Sequence, residues 1–353
     1  MTPGLRVRKP GLHSTVQDLG RYGYQRSGVP VAGALDRDSL QLANALVGNP
    51  PGAPALEILG QGPTLEVEAD SARVALAGSS VGLELLQAEP QRLPSWRSLR
   101  LRRGDVLRVG TLADTACCYL AVEGGFDVPS CLGSAATYAR AGLGGLEGRM
   151  LLVGDVLPLA VVGVEEREEL RLAREPDLGL PRPVRVILGP QADAFTEAAV
   201  ETLLSEEFTV SKDVDRMGMR LDGPRLGHAG DFNTVSDGIA TGAIQVPGSG
   251  QPIVLLADRQ TTGGYPKIAT VASVDVPVLA RRSTGTPVRF QRVEVAEAEE
   301  ARRGHERRLA RLAADLEPAP SAGGVNVERL YSSNLISGVV RGDESPGHRR
   351  GRT

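Results

Sequence analysis

PIVLLADRQTTGGYPKIATVASV, residues 252–274, holds two apolar runs, Pro252–Ala257 and Ile268–Val274, joined by the polar segment Asp258–Lys267. Each run is of strand length, and the first reads as a buried strand. The joining segment concentrates chemistry: Asp258, Arg259 and Lys267 carry charge, Thr261 and Thr262 carry hydroxyls, and Gly263–Gly264 precede a Tyr-Pro step. A core strand that ends in this composition reads as leading into a substrate-facing loop. The plainer alternative is a hairpin loop with surface charges.

The residue types suit a small planar carboxylate or amide. Arg259 can clamp a carboxylate bidentately, and Asp258 either orients a donor or accepts a proton. Gln260, Thr261 and Thr262 can read an amide. Gly263 and Gly264 can present backbone N–H groups to a developing oxyanion, with Lys267 as a further cation.

Outward from this stretch the same strand pattern recurs. Ala55–Leu59, Thr64–Glu68, Ala72–Gly78, Asp105–Val109 and Thr115–Val122 read as strands before it. Val184–Gly189, Ala243–Val246 and Pro287–Phe290 join it in the second half. Asp36–Pro50 reads as a helix with an aspartate cap, an apolar stripe of Leu40, Ala43 and Val47, and a Gly48-Asn49-Pro50 exit. Asp193–Leu204 and the charged segment 294–316 read as two more helices. The fold class expected is mainly β with a few α-helices.

The composition agrees. The 353 residues include 43 glycines and 24 prolines, with only 3% aromatics, which favours strands and turns. A chain of this length suggests about two domains. The run EEREELRLAREPDLGLPRP, residues 165–183, reads as a charged surface helix followed by a linker. It places a boundary near residue 180, between an N-terminal lobe 1–180 and a C-terminal lobe 181–340. Residues 341–353 read as a disordered tail.

An internal echo links the halves. Asp18/Asp213, Arg21/Arg216, Gly23/Gly218 and Gly28/Gly223 share one spacing. The expected structure is a tight glycine loop tied by an Asp-Arg salt bridge. Asp18, Arg21, Asp215 and Arg216 are therefore secondary binding candidates.

Other classes find no support. The net charge of −3 gives no case for nucleic acid. There is no apolar run of membrane-spanning length and no signal-peptide core, so the expected compartment is the cytoplasm. Four scattered histidines show no metal spacing, and Cys117–Cys118 read as small core residues. His13 reads as a structural loop histidine. No phosphate loop or nucleophile elbow is present, and Gly142–Gly148 fails the dinucleotide fingerprint because Glu147 stands at its last glycine.

Several stretches together resemble one family. They are Thr15–Pro50, Ala141–Arg149, Asp215–Leu221, Ser236–Ala269 and Ser333–Val340. They look like the allophanate hydrolase subunit 2 family, also described as biotin-dependent carboxyltransferase subdomains A and B. Its members include the C-type subunit of bacterial ATP-dependent 5-oxoprolinase and the carboxyltransferase part of urea carboxylase. The resemblance implies two cyclophilin-like β-barrel lobes. It also implies partners, a smaller B-type subunit and an A-type subunit, and a small-molecule substrate. The activity expected is cleavage of 5-oxoproline to glutamate with ATP hydrolysis, the ATP site not being readable in this chain. One alternative is carboxyl transfer to a urea-like or amide acceptor, with biotin on a separate carrier, since no Met-Lys-Met acceptor occurs here. Another is a non-enzymatic antagonist of a histidine-kinase inhibitor. The residues expected to act are Asp258, Arg259 and Lys267, with Gln260–Gly264 as binding groups.

Overall fold

Residues 3–176, 182–231 and 233–320 are described by a computed structural model. The linker around residue 180, the family stretch Ser333–Val340 and the expected tail 341–353 lie outside the described residues.

Alternation along the strands decides which side chains meet. In the first part, Val156–Pro158, Gly4–Lys9, Thr64–Val67, Val106–Val109, Leu83–Leu85 and Gln91–Leu93 form a six-stranded sheet in that spatial order. His13–Gln17, Ala55–Leu59, Cys117–Val122, Ser71–Ala77 and Ser98–Arg102 form a second sheet of five strands. Successive side chains on a strand point to opposite faces. Leu56, Ile58, Cys118, Leu120 and Val122 therefore meet Leu5, Leu65 and Leu107 of the first sheet in one core. Ala55, Cys117, Tyr119 and Ala121 face the other way, against a helix. The adjacent cysteines are both buried, as expected, and lie in different cores.

That helix is α1, Arg37–Val47, with Leu40, Ala43 and Leu46 in the shared cluster. The Asp36 carboxylate accepts from the backbone N–H groups of Asp38 and Ser39, and Gly48 closes the helix at φ 82°. A left-handed residue there favours glycine.

The second part is one eight-stranded sheet. Its order is Pro287–Val288, Phe208–Val214, Gly218–Asp222, Ile253–Leu255, Ala243–Gln245, Lys267–Val271, Val184–Leu188 and Phe290–Arg292. The two edge strands are separated in sequence by Arg289 alone, so the sheet curls into a nearly closed barrel. The helix α2, Glu197–Ser205, contributes Leu203 to a core with Phe208, Leu221, Ile244, Val254 and Phe290. A short helix α3, Val276–Ala280, follows the strand Lys267–Val271. The fold is mainly β, as expected.

Three local expectations are corrected. The charged run from Glu165 is not helical: Leu170–Leu172 is a strand paired with Leu316–Pro318. Fully buried Arg73 draws Glu169 and the carbonyl of Glu165 onto itself, which holds the segment extended. The helix read at Asp193–Leu204 begins only at Glu197, where Thr196 caps it. The two echoed segments also differ. Asp18–Gly28 is a loop with left-handed Gly23 and Gly28, whereas Asp213–Gly223 is a hairpin between Phe208–Val214 and Gly218–Asp222.

The charged helix near the end is α4, Val295–Ala314, opened by a reciprocal Glu294–Glu297 capping box. None of its residues is fully buried, but Leu309, Leu312 and Ala313 pack on the α1 cluster. Among the described residues no helix is long and apolar enough to cross a membrane.

Candidate active site

Alternation also builds a cleft on the outside of the eight-stranded sheet. Ile244, Val254, Met219 and Leu221 point into the barrel core. Their neighbours Gln245, Ile253, Leu255, Gly218 and Arg220 must then point outward. These residues, the strand end Lys212–Val214 with Asp215 and Met217 of the hairpin turn, Gln260 and Tyr265 line a cleft of about 390 Å³.

Two amides form its polar wall. Gln260 Nε2 donates to Gln245 Oε1 at 3.1 Å, and Gln245 Nε2 donates to the Tyr265 carbonyl at 3.2 Å. Gln245 is buried, so both of its polar ends are satisfied and its position is fixed. The carbonyl oxygen and second N–H of Gln260 remain for a ligand. Gly263 permits this packing, since a Cβ there would meet Gln245 Nε2 at 2.9 Å and Ile239 Cδ1 at 2.7 Å.

The charged residues of the loop have separate placements. Asp258 does not orient Arg259. It accepts two hydrogen bonds from Arg216, at 2.9 and 3.0 Å. Arg216 also pairs with Glu57 and donates to the Gly33 carbonyl at 2.7 Å. Tyr119 donates to Glu57 at 2.5 Å. Burial opposes the Arg216 charge, but Glu57 and Asp258 outweigh it and raise its pKa. Burial and the Glu57 charge push the Tyr119 hydroxyl well up, so it stays protonated and donates. This network fixes the base of the loop beneath the cleft.

Arg259 is buried too. Its Nε donates to the Ile239 carbonyl at 3.0 Å, and burial lowers its pKa. Lys267 is 2% exposed and faces Asp237 at 3.8 Å. Thr262–Gly263 pair with Asp237–Gly238 as a short ladder over this region. The Thr261 carbonyl accepts from Ile239 N–H, and the Gly264 carbonyl accepts from Thr234 N–H.

Of the secondary candidates, Asp215 lines the cleft, its carboxylate accepting from Met217 and Gly218 N–H. Asp18 and Arg21 lie in the first part and do not pair with each other. Asp18 accepts from Gly20 N–H, the Ser134 hydroxyl and Ala135 N–H, while Arg21 donates to the Cys131 and Ala136 carbonyls. Arg216 likewise pairs with Asp258 and Glu57 instead of Asp213. The salt bridge expected inside the echoed motif is absent from both copies, because Asp18, Arg21 and Arg216 are each held by other partners.

Sequence reasoning missed Gln245, Glu57 and Tyr119. The one available signal for Gln245 was a lone amide inside an otherwise apolar strand.

Comparison with known proteins adds to this geometry. The carboxyltransferase domain family, subdomain A and B, matches residues 27–292, which include every cleft residue. The chain is 39% identical over 310 residues to the C-type subunit of 5-oxoprolinase from Escherichia coli (strain K12), covering 88% of this chain and 97% of that protein. It is 30% identical to "Urea amidolyase" of Saccharomyces cerevisiae, over 81% of this chain but 16% of that one. The crystal structure of the K. lactis urea amidolyase superposes with a TM-score of 0.79 at 29% identity, over 88% of this chain and 20% of that one.

Proposed function

The chain belongs to the carboxyltransferase domain family, subdomains A and B, and from that premise we propose that it is the C-type subunit of an ATP-dependent 5-oxoprolinase complex. In this reading it works with B-type and A-type subunits to open 5-oxoproline to glutamate. The observation that carries the reading is the fixed Gln245–Gln260 pair on the wall of a cleft with room for a small cyclic amide. The similarity to the Escherichia coli 5-oxoprolinase chain, over 97% of that protein, supports it.

The residues suggest a division of labour. Gln260 accepts the lactam N–H and donates its second N–H to the lactam oxygen. Gln245, held by Tyr265, keeps Gln260 in that orientation. Asp215 stands at the cleft as the carboxylate available to take a proton from water. The Asp258–Arg216–Glu57 network positions the loop and touches no substrate. The sequence has no phosphate loop. In this reading ATP binds the partner subunits.

Carboxyl transfer is the second reading, favoured by the structural likeness to urea amidolyase. The ureido ring of biotin is also a cyclic amide and suits the same pair of glutamines. Carboxybiotin on a separate carrier would supply the carboxyl group.

The two readings separate in one assay. The chain is purified with its native partners and given 5-oxoproline and ATP. Glutamate and ADP formed together support the proposal. Biotin-dependent incorporation of bicarbonate without glutamate replaces it with the second reading.

A further inference from the structure

Lys267 is buried, yet its ammonium makes no hydrogen bond among the described residues. Its ion-pair partner is the Asp237 Oδ2 atom, 3.8 Å away, beyond hydrogen-bond reach. The pair is lopsided: the Lys267 side chain is 2% exposed and that of Asp237 60%. Asp237 Oδ1 is held at 2.7 Å by the N–H of Gly238. The aspartate thus sits at the mouth of a site whose cation lies inside.

This site adjoins the amide pair. Lys267 is paired with Gln245 across a β-bulge that skips Ile268; Ile268 and Ala269 both enter the barrel core, so Lys267, the next residue along, lies on the Gln245 side of the sheet. The strap that bears Asp237 pairs through Gly238 with Thr262 and through Asp237 with Gly263. Gly263 is the residue whose missing side chain makes room for Gln245. Arg259, the obvious carboxylate clamp by composition, gives its Nε to the Ile239 carbonyl; among the described residues its Nη1 is also buried without a hydrogen bond, but no carboxylate there stands beside it as Asp237 stands beside Lys267.

We infer that Lys267, which stands beside Gln245 and outside the lining of the open cleft, is a carboxylate-binding cation reached past Asp237, and that Asp237 is a resident carboxylate which the ligand displaces. The inference deepens the proposed function and rests on that cleft being the substrate site. The ligand class is a small amide bearing a carboxylate, as in 5-oxoproline. An exposed ion pair contributes little, whereas a buried ammonium without hydrogen bonds is costly to leave unsatisfied. A ligand carboxylate seated at hydrogen-bond distance forms the stronger, charge-assisted contact. The exchange gives Lys267 a new carboxylate partner and leaves the displaced Asp237 carboxylate to solvent, where it is already 60% exposed.

Calorimetric titration of the full chain in its native complex tests this with three probes. They are 5-oxoproline, 2-pyrrolidinone (the same lactam without a carboxylate) and acetate (a carboxylate without a lactam). The wild type should bind 5-oxoproline at least about tenfold more tightly than 2-pyrrolidinone, the scale of one charge-assisted hydrogen bond. Lys267→Met should erase that preference. Asp237→Asn, at an exposed position where folding is not at risk, should tighten 5-oxoproline and leave 2-pyrrolidinone unchanged. A preference that survives Lys267→Met, or an Asp237→Asn chain that binds 5-oxoproline no more tightly, overturns the inference. Glutamate formation that responds to neither variant would keep the proposed function and remove this site. Acetate binding that depends on both residues, with no response to 5-oxoproline, would keep the site and remove the proposed substrate. A chain that binds none of the three probes overturns the inference as well.

Discussion

Asp258 and Arg216 hold each other in a buried network, and removing the Asp258 charge leaves Arg216 with Glu57 and the Gly33 carbonyl alone. Asp258→Asn should therefore lower the unfolding free energy by about 1.5–3 kcal/mol, the scale of hydrogen bonds to a charged group, read by urea denaturation of the full chain. A loss under about 1 kcal/mol would mean that the pair is solvated, as surface pairs are. His13 gives a pH-dependent counterpart. Burial lowers its pKa from the ordinary 6.5, with Glu57 opposing and Arg216 reinforcing the shift. The neutral form is then the one the fold favours, so the unfolded chain binds the proton more readily. The stability His13 contributes is complete above about pH 6.5 and is lost as the pH falls from there through its lower folded value. His13→Gln should flatten that part of the stability profile, and an unchanged slope would refute the assignment. The chemistry of the Asp258–Lys267 loop was legible in its composition, but the pairing was not. Arg216 meets Asp258 42 residues away and Glu57 159 residues away, whereas local spacing could suggest only Asp213 or Arg259.

The strand is the scale at which the sequence spoke most clearly. A period of two in Ala243–Gln245 and Ile253–Leu255 sends one set of side chains into the barrel and the other into the cleft. Helix α1 was equally readable, because its Asp36 cap and Gly48 stop are local signals. The run from Glu165 was not, because its extended path depends on Arg73, a buried cation far off in sequence. The same reasoning makes the ladder of Thr262–Gly263 with Asp237–Gly238 sensitive to volume. Gly263→Ala puts a methyl group against Gln245 Nε2 and the Ile239 side chain. It should lower the melting temperature modestly, since two buried side-chain ends must move aside, and cut kcat/KM at least about tenfold, the cost of misplacing a positioning group. Full activity in that variant would detach Gln245 from substrate recognition.

Across the molecule, the two halves are joined through their interiors. Leu35, which precedes α1, lies in the core of the eight-stranded barrel, and Leu59 packs against both that core and the α1 cluster. The ion pairs Arg216–Glu57 and Arg281–Asp36 cross the same junction. Residues 3–320 should accordingly unfold in one calorimetric transition. Two separated transitions would show that these contacts do not couple the halves. The near-closure of the barrel follows from edge strands separated only by Arg289, a feature of topology that no local sequence pattern announces.

The central claim is that a cyclic amide is read by Gln245 and Gln260 in a 5-oxoprolinase complex. Its most direct test compares wild type and Gln260→Leu, each purified with its native partners, for glutamate formed from 5-oxoproline and ATP. The wild type should turn over and the variant should lose at least about tenfold, the scale of one hydrogen bond to the reacting amide, with the same partners retained. Equal turnover in both, or none in the wild-type complex, would contradict it.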